Sequence, residues 1–438
     1  SPVPYGEAGM KSRCLSEFSE IFRYKERILV LPYHPRLAFK ETLILDNEMK
    51  EEDIAYRLSD LAKEIKRLNP QDTEKDKSIV FQLLQKGEWE KAISIQQKVT
   101  EIEEYDPNGW GLLAFLYFIT GRFEEALREI DKAIALDPYN PDFYFNKATT
   151  LFNLKRFEEA LPIFDKAIEI DHNISELYYN KASTLFELKR FNEAIQVLEK
   201  AIQINPDNPD YLNKKGNILI YLNRLEEAVA LYNKASDINP QNPYFLYNKA
   251  NALTKQKKFE EAILIYDKAI KINPHNSDFL NNKGIALFNL KRFEESIPLY
   301  DKAIEINSHI PDFYFNKARA LLELSRWEEA IPLHDKAIEL DPKNPDIYND
   351  KARALFYLKR LEEAIQLLDK AIQIAPDNAN SYYIKACCLS LMGNEKESLE
   401  YLKKAIGLDS SFKEQAKTDP DLKALHKLPS FKKLVGLE

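Results

Sequence analysis

The chain has 438 residues, of which 45% are hydrophobic and 30% charged, with a formal net charge of −8. This balance supplies a continuous apolar core but argues against the sequence-independent phosphate binding of basic proteins, and without a sustained Lys/Arg block nucleic acid is not an expected partner. Cys14, Cys387 and Cys388 make no disulfide framework, no apolar run approaches the roughly 18 residues of a membrane helix, and no secretory pattern opens the chain, so a cytoplasmic location without membrane insertion is expected.

In chain order, SPVPYGEAG (residues 1–9) reads as a remnant ahead of Met10, the natural start. The rest of the arm, to residue 50, holds two β-rich runs, Ile28–Leu31 and Thr42–Leu45, separated by Pro32 and Pro35; they predict a hairpin or an extended arm. Glu51–Leu68 predicts a helix, so residues 51–72 read as a capping helix or half repeat. From Thr73 a single period takes over. The hexapeptide FYFNKA occurs at Phe143–Ala148 and at Phe313–Ala318, 170 residues apart, which is five times 34. With Pro141 as position 1, unit starts fall at Thr73, Pro107, Pro141, Ser175, Pro209, Pro243, Ser277, Pro311, Pro345 and Ala379, without an insertion. A repeat array of this kind is one elongated domain rather than two or three globular ones.

Within each unit, apolar residues recur at positions 4, 8 and 11 and again at 20, 24 and 27, the spacing of two amphipathic helices. Position 8 is small (Ala148, Ala182, Gly216, Ala250, Gly284, Ala318, Ala352, Ala386) and position 20 is Ala or Ser from Ala126 to Ser398, so the two helices can approach closely. Proline at position 32 (Pro138, Pro206, Pro240, Pro274, Pro342, Pro376) stops the second helix. After the last unit, Asp419–Val435 predicts two short amphipathic pieces divided at Pro429, and residues 413–438 read as capping helices.

The aromatic at position 4 (Trp110, Tyr144, Tyr178, Tyr314), the small residue at 8, Ala at 20 and 27 and Pro at 32 closely resemble the tetratricopeptide repeat, over about Thr73 to Phe412. The resemblance implies an all-α, right-handed superhelical solenoid of antiparallel helix pairs, with the first helices lining a concave groove. Two positions depart from the family. The turn at position 15, often Gly, is Lys155, Lys189, Asn223, Lys257, Lys291, Ser325 or Lys359; if it needs a left-handed backbone, each costs up to about 1 kcal/mol. Position 7, usually large and apolar, is Lys from Lys147 to Lys385, whereas position 25 is acidic or Asn from Asp131 to Asp369. The acidic run starts one unit earlier and ends one unit earlier. This phase shift predicts pairing of position 25 with position 7 of the next unit, each pair contributing about 0–1 kcal/mol while fixing the stacking register.

Positions 2, 5, 6, 9, 12 and 13 lie off the apolar stripe of the first helix and should face the groove. Position 6 carries Asn146, Asn180, Asn248, Asn282 and Asn316, interrupted by Lys214 and followed by Asp350. An amide offers a donor and an acceptor, the pair that grips a peptide backbone without reading its sequence; the other reading is that these amides solvate the groove or bond a neighbouring helix. The resemblance points to the first reading, because an asparagine ladder at this place holds extended peptide in a glycosyltransferase built on the same repeat. Aromatics at position 5 (Phe145, Tyr179, Tyr247, Phe315) and position 12 (Phe152, Phe186, Phe288) would form pockets for ligand side chains, some of them packing between repeats instead. The acids at position 2, among them Asp142, Glu176, Asp210, Asp278, Asp312 and Asp346, suit a helix N-terminus and would also steer a basic segment. A carboxylate clamp of the co-chaperone type is missing, since position 5 is aromatic, Asn or Gly and position 2 is mostly acidic.

No enzyme, cofactor or metal is read from these residues. The six histidines lack paired spacing such as HExxH; His334, at position 24, reads as packed core, and Cys387 and Cys388 as free thiols. The 11 glycines build no phosphate loop, and the acceptor pattern Asn173-Ile174-Ser175 reads as chance. The leading expectation is a non-enzymatic scaffold binding an extended, basic or aromatic-containing peptide of a protein partner. Two alternatives stand beside it: a structural protein that forms homo-oligomers through its arm or helical ends, and a regulatory subunit of an enzyme in another chain.

Overall fold

The structure is a computed structural model that describes residues 73–437 and, as backbone, two short strands, β1 (Ile21–Tyr24) and β2 (Arg27–Val30). The strands are antiparallel, with Ile21 opposite Val30 and Tyr24 opposite Arg27. The Ile28 run expected in a hairpin or extended arm therefore falls in β2, whose described partner is Ile21–Tyr24. Thr42–Leu45 and the helix expected over 51–68 lie outside the described residues.

Every other described element is helical. The chain divides into two compact units, residues 1–240 and 241–438. The first unit holds five helix pairs: α1 (Glu74–Lys86) with α2 (Trp89–Ile102), α3 (Pro107–Ile119) with α4 (Phe123–Leu136), α5 (Pro141–Asn153) with α6 (Phe157–Ile170), α7 (Ser175–Glu187) with α8 (Phe191–Ile204), and α9 (Pro209–Tyr221) with α10 (Leu225–Ile238). The second holds five more: α11 (Pro243–Lys255) with α12 (Phe259–Ile272), α13 (Ser277–Asn289) with α14 (Phe293–Ile306), α15 (Pro311–Glu323) with α16 (Trp327–Leu340), α17 (Pro345–Tyr357) with α18 (Leu361–Ile374), and α19 (Ala379–Leu391) with α20 (Glu395–Leu408). Two short helices follow, α21 (Phe412–Thr418) and α22 (Pro429–Val435), joined through two 3-10 turns. Ala416, Leu422, Leu425, Phe431 and Val435 from this tail are fully buried against the last pairs.

The sequence explains each boundary. Asn or Asp at position 34 caps the first helix of the next pair: Asn140, for example, accepts from the Asp142 amide at 3.0 Å, and Asn208, Asn242, Asn276 and Asn344 repeat the bond. Proline often follows at the first helical position, where its missing N–H costs nothing. The tyrosine at position 4 reaches back to the carbonyl at position 32 of the preceding pair, as from Tyr144 to Pro138 at 3.1 Å and from Tyr348 to Pro342 at 3.1 Å. Apolar rings at positions 3 and 24 fill the space between helices, with Phe143, Phe164, Tyr232, Phe245, Tyr266, Phe279 and Tyr300 fully buried. The small residue at position 8 makes room for the ring at 24. A Cβ added at Gly216 would stand 2.6 Å from Tyr232 Cε1, and one at Gly284 equally close to Tyr300 Cε1.

Both departures from the family have a structural account. All seven non-glycine residues at position 15 are left-handed, with φ between 57° and 61°, matching the positive φ of Gly121 and Gly393 in the same place. The lysines of position 7 pair with position 25 of the preceding unit, as the phase shift predicted. In the first unit these are Lys147 with Asp131 at 2.6 Å, Lys215 with Glu199 at 2.7 Å, and Lys181 with Asp165. In the second they are Lys283 with Asp267, Lys317 with Asp301, Lys351 with Asp335 and Lys385 with Asp369. The acids are about half exposed, so each pair serves register more than stability.

Within each unit the first helices touch one another, α3 with α5 and α5 with α7, then α11 with α13, α13 with α15, α15 with α17 and α17 with α19. First helices therefore touch one another as well as their own partners, and positions 2, 5, 6, 9, 12 and 13 lie off the 4, 8, 11 stripe of each.

Candidate functional site

All twelve candidate residues stand on first helices, off that stripe, and all twelve are half-buried. In the first unit, Asn146 on α5 has a buried Nδ2 without a hydrogen-bond partner. Asn180 on α7 donates to the Glu176 carbonyl one turn back, at 2.9 Å. In the second unit the amides are tied sideways. Asn282 on α13 donates to Tyr247 OH at 2.8 Å and to Asn251 Oδ1 at 3.0 Å on α11, and Asn316 on α15 donates to Asn281 Oδ1 at 3.0 Å. Asn248 on α11 also has a partner. The row of asparagines thus divides: Asn282 and Asn316 stitch neighbouring first helices together, while Asn146 keeps a donor free.

The aromatics are anchored on one side. At position 5, Phe145 meets Phe164 with ring centroids 6.4 Å apart, Tyr179 meets Tyr211 at 5.2 Å, Tyr247 meets Phe279 at 4.8 Å, and Phe315 meets His334 at 6.2 Å. At position 12, Phe152, Phe186 and Phe288 meet Phe157, Phe191 and Phe293 at 5.1–5.6 Å, bridging the turn to the second helix. These contacts fix the rings, so any ligand side chain would meet a pre-set edge rather than a deep pocket.

Charged groups complete the face. Asp142 and Glu176 are 5% and 2% exposed, whereas Asp278, Asp312 and Asp346 are open to solvent. Burial, with the nearby Asp171 carboxylate, pushes Asp142 up to about 7. Burial also raises Glu176, against hydrogen bonds from Ser175 Oγ at 3.2 Å and Tyr211 OH at 3.3 Å. Lys214, standing where the asparagine row is interrupted, lies 4.7 Å above the Phe186 ring, and desolvation brings its amine down to about 8. All five acids stand in the first turn of their helices, where the N-terminus reading of position 2 puts them, three open to solvent and two enclosed.

Position 9 was not singled out from the sequence, although it reads Arg in two consecutive units. The Arg319 guanidinium lies over Phe288 at 5.1 Å and Phe315 at 5.5 Å, and 3.5 Å from Asp350. Arg353 reaches Glu323 at 3.4 Å and Asp350 at 3.7 Å, while burial raises the Asp350 carboxyl. In the first unit the same position supplies Thr149 Oγ1 and Ser183 Oγ, both buried and both without a partner.

Among the described residues no group of three or more His, Cys, Asp or Glu could hold a metal ion. Cys387 and Cys388 are buried free thiols, the second pushed up to about 12 by burial, so neither is a thiolate at neutral pH. No described helix is long and apolar enough to cross a membrane.

Paired helices of 13 and 14 residues, ten pairs in the described chain and five in each unit, define an α-helical repeat protein. Models of the tetratricopeptide repeat match residues 107–140, 185–252, 243–276, 277–309, 299–331, 321–387 and 379–412. The chain belongs to the tetratricopeptide repeat family. The model of anaphase-promoting complex, cyclosome, subunit 3 also matches residues 130–201. Among solved structures, the chain is similar to YrrB, described as a repeat protein of this type with an unusual peptide-binding site; the two are 26% identical over 43% of this chain and 97% of YrrB, with a TM-score of 0.38. It is also similar to a tetratricopeptide repeat protein from Parabacteroides merdae (20% identity, 57% and 98% covered, TM-score 0.46). The APC/C hetero-tetramer Cut9-Hcn1 is matched over 86% of this chain and 87% of that one, at 15% identity and a TM-score of 0.46. No curated protein matches the chain.

Proposed function

We propose that the protein is a non-catalytic interaction scaffold whose first helices, lining the concave side of a right-handed superhelix, hold an extended segment of a partner protein. One observation carries this reading: Asn146, Asn180, Phe145, Tyr179, Phe152 and Phe186, on the first helices α5 and α7, are half-buried, with amide and aromatic surface still open to a ligand. An amide offers a donor and an acceptor together, and a peptide backbone laid along the face would supply the complement of both. Helices packed about 8–10 Å apart, against about 3.3 Å per extended residue, set one helix per three ligand residues. Aromatic edges at positions 5 and 12 and the solvent-open acids Asp278, Asp312 and Asp346 favour a segment with basic and aromatic side chains. The family membership supports a protein partner.

The test is affinity capture from host lysate with the native chain and with an Asn146→Ala/Asn180→Ala/Ser183→Ala chain, after circular dichroism shows equal helicity. Three hydrogen bonds at about 0.5–1.5 kcal/mol each correspond to roughly 2–4 kcal/mol, a loss of about 30- to 1,000-fold in affinity. A partner held by the native chain should therefore be lost from the variant. The same partner retained equally by both would remove these helices from the binding site.

A further inference from the structure

Position 13, the last residue of each first helix, carries a second period laid over the first. It reads Asn153, Glu187 and Tyr221 in the first unit and Asn289, Glu323 and Tyr357 in the second, 136 residues further on, which is four times 34. In each unit the tyrosine lies flat on the position 17 ring of the preceding pair. Tyr221 stacks on Phe191 with centroids 5.3 Å apart and planes at 22°, and Tyr357 on Trp327 at 5.2 Å and 20°. A second ring meets each tyrosine edge-on, Phe186 at 5.0 Å and Phe356 at 5.7 Å, so the tyrosine is held on two sides. Both nevertheless stay open to solvent, at 65% and 47% exposure. The stack is not needed to close the array: the position 17 rings Phe157 and Phe293 have Glu187 and Glu323 at the corresponding place, and their helices pack against the next pair all the same.

We propose that Tyr221 and Tyr357 are the platforms of two equivalent sites, one in each unit, and that each takes an arginine side chain of the partner segment. A guanidinium is flat, weakly hydrated and attracted to the face of an aromatic ring, so it fits an exposed tyrosine whose other face is already stacked. A carboxylate near each platform selects the cation. Glu187 follows Phe186, whose ring meets Tyr221, and Glu323 lies 3.4 Å from Arg353, one turn before Tyr357 on α17. Both carboxylates are exposed. Each has one cation at its side, Lys214 by Glu187 and Arg353 by Glu323, but a carboxylate has about four acceptor sites, and a single loose pair leaves room for a second donor. Because neighbouring rings already fix the tyrosines, binding orders little that is free beforehand. The inference rests on the first helices being the ligand face, and it adds a stoichiometry: a segment with one arginine binds the chain twice.

The probe is the peptide acetyl-Gly-Ser-Arg-Ser-Gly-amide, titrated into the full chain carrying fluorotyrosine in place of Tyr221 alone or of Tyr357 alone, with the fluorine resonance followed by NMR. Both resonances should move to saturation with dissociation constants within about twofold of each other, and the same peptide with citrulline for arginine, equal in shape but uncharged, should bind at least about tenfold more weakly. Glu187→Gln should weaken binding at Tyr221 alone and Glu323→Gln at Tyr357 alone, each by about threefold or more. A response at one tyrosine only, equal binding of a citrulline or phenylalanine peptide, no loss in either glutamine chain, or no movement of either resonance up to about 10 mM peptide overturns the inference. The groove reading is judged separately by the Asn146→Ala/Asn180→Ala/Ser183→Ala capture: loss of the partner there, with both tyrosines unmoved here, keeps the groove and removes the paired sites.

Discussion

Replacing Lys155, Lys189, Asn223, Lys257, Lys291, Ser325 and Lys359 together with glycine should raise the stability of the helical array by several kcal/mol. All seven sit at the turn between paired helices with φ near 60°, where a Cβ crowds the following carbonyl and costs about 1 kcal/mol or more per residue. Glycine at the same turn, as in Gly121 and Gly393, carries no such strain, and an added Cβ there would meet nothing within 4 Å. Part of the gain is returned because glycine gives the unfolded chain more freedom, which leaves about 0.5–1 kcal/mol at each site. The sites lie one repeat apart and share no partners, so the gains should add. The check is a urea midpoint for the native and seven-glycine chains, with Gly121→Ala as a control that moves the midpoint downward. An unchanged midpoint in the seven-glycine chain would mean that the turn strain is absorbed elsewhere.

The second large effect is acid sensitivity centred on His334. Its ring is 0% exposed on α16, facing Phe315, and neither nitrogen has a hydrogen-bond partner. Burial lowers its pKa to about 3, helped by the positive charges of Lys351, Arg353 and Arg319. Because the folded value lies below the unfolded one of about 6.5, the unfolded chain takes up the proton first. Stability is therefore whole above about pH 6.5 and is lost as the pH falls toward 3, at about 1.4 kcal/mol per unit, or about 2 kcal/mol by pH 5. Leucine fills this position in other pairs, where Leu198, Leu368 and Leu402 are fully buried. His334→Leu should thus stabilise the second unit at pH 7.5, by removing two unmet nitrogens, and by about 2 kcal/mol more at pH 5. Urea midpoints at the two pH values read this directly, since every other titrating group is common to both chains. Parallel pH dependence in the two would show that His334 does not control it.

What could be read from the sequence was whatever the 34-residue period repeats. Each unit writes the same helix pair, so the small residue at position 8, the fully buried alanines at 27 and the left-handed turn at 15 recur in register. The Lys–Asp pairs were legible for a subtler reason: two runs out of phase by one unit can only pair between units. The asparagine caps at position 34 were equally regular and went unread, as did the two consecutive arginines at position 9. Other features depend on what the next helix offers. Asn282 is tied down because α11 happens to present Tyr247 and Asn251, and Asn316 because α13 presents Asn281, whereas no such group meets the Asn146 Nδ2 on α5. The enclosure of Asp142 and Glu176, set against exposed Asp278, Asp312 and Asp346, is likewise invisible in a column of similar acids. The pairing of Ile21–Tyr24 with Arg27–Val30 went unread because the first of these runs carries no turn signal beside it.

The groove itself is tested most directly by site-specific photocrosslinking. A benzophenone side chain replacing Phe152 on α5 or Phe186 on α7, both already aromatic, leaves the packing largely intact; a third chain carries it at Gln196, exposed on the second helix α8. Incubated in host lysate and irradiated, the first two should form a covalent adduct with the same partner, and the Gln196 chain should not. Adducts from Gln196 alone would place the partner on the second helices and contradict the groove.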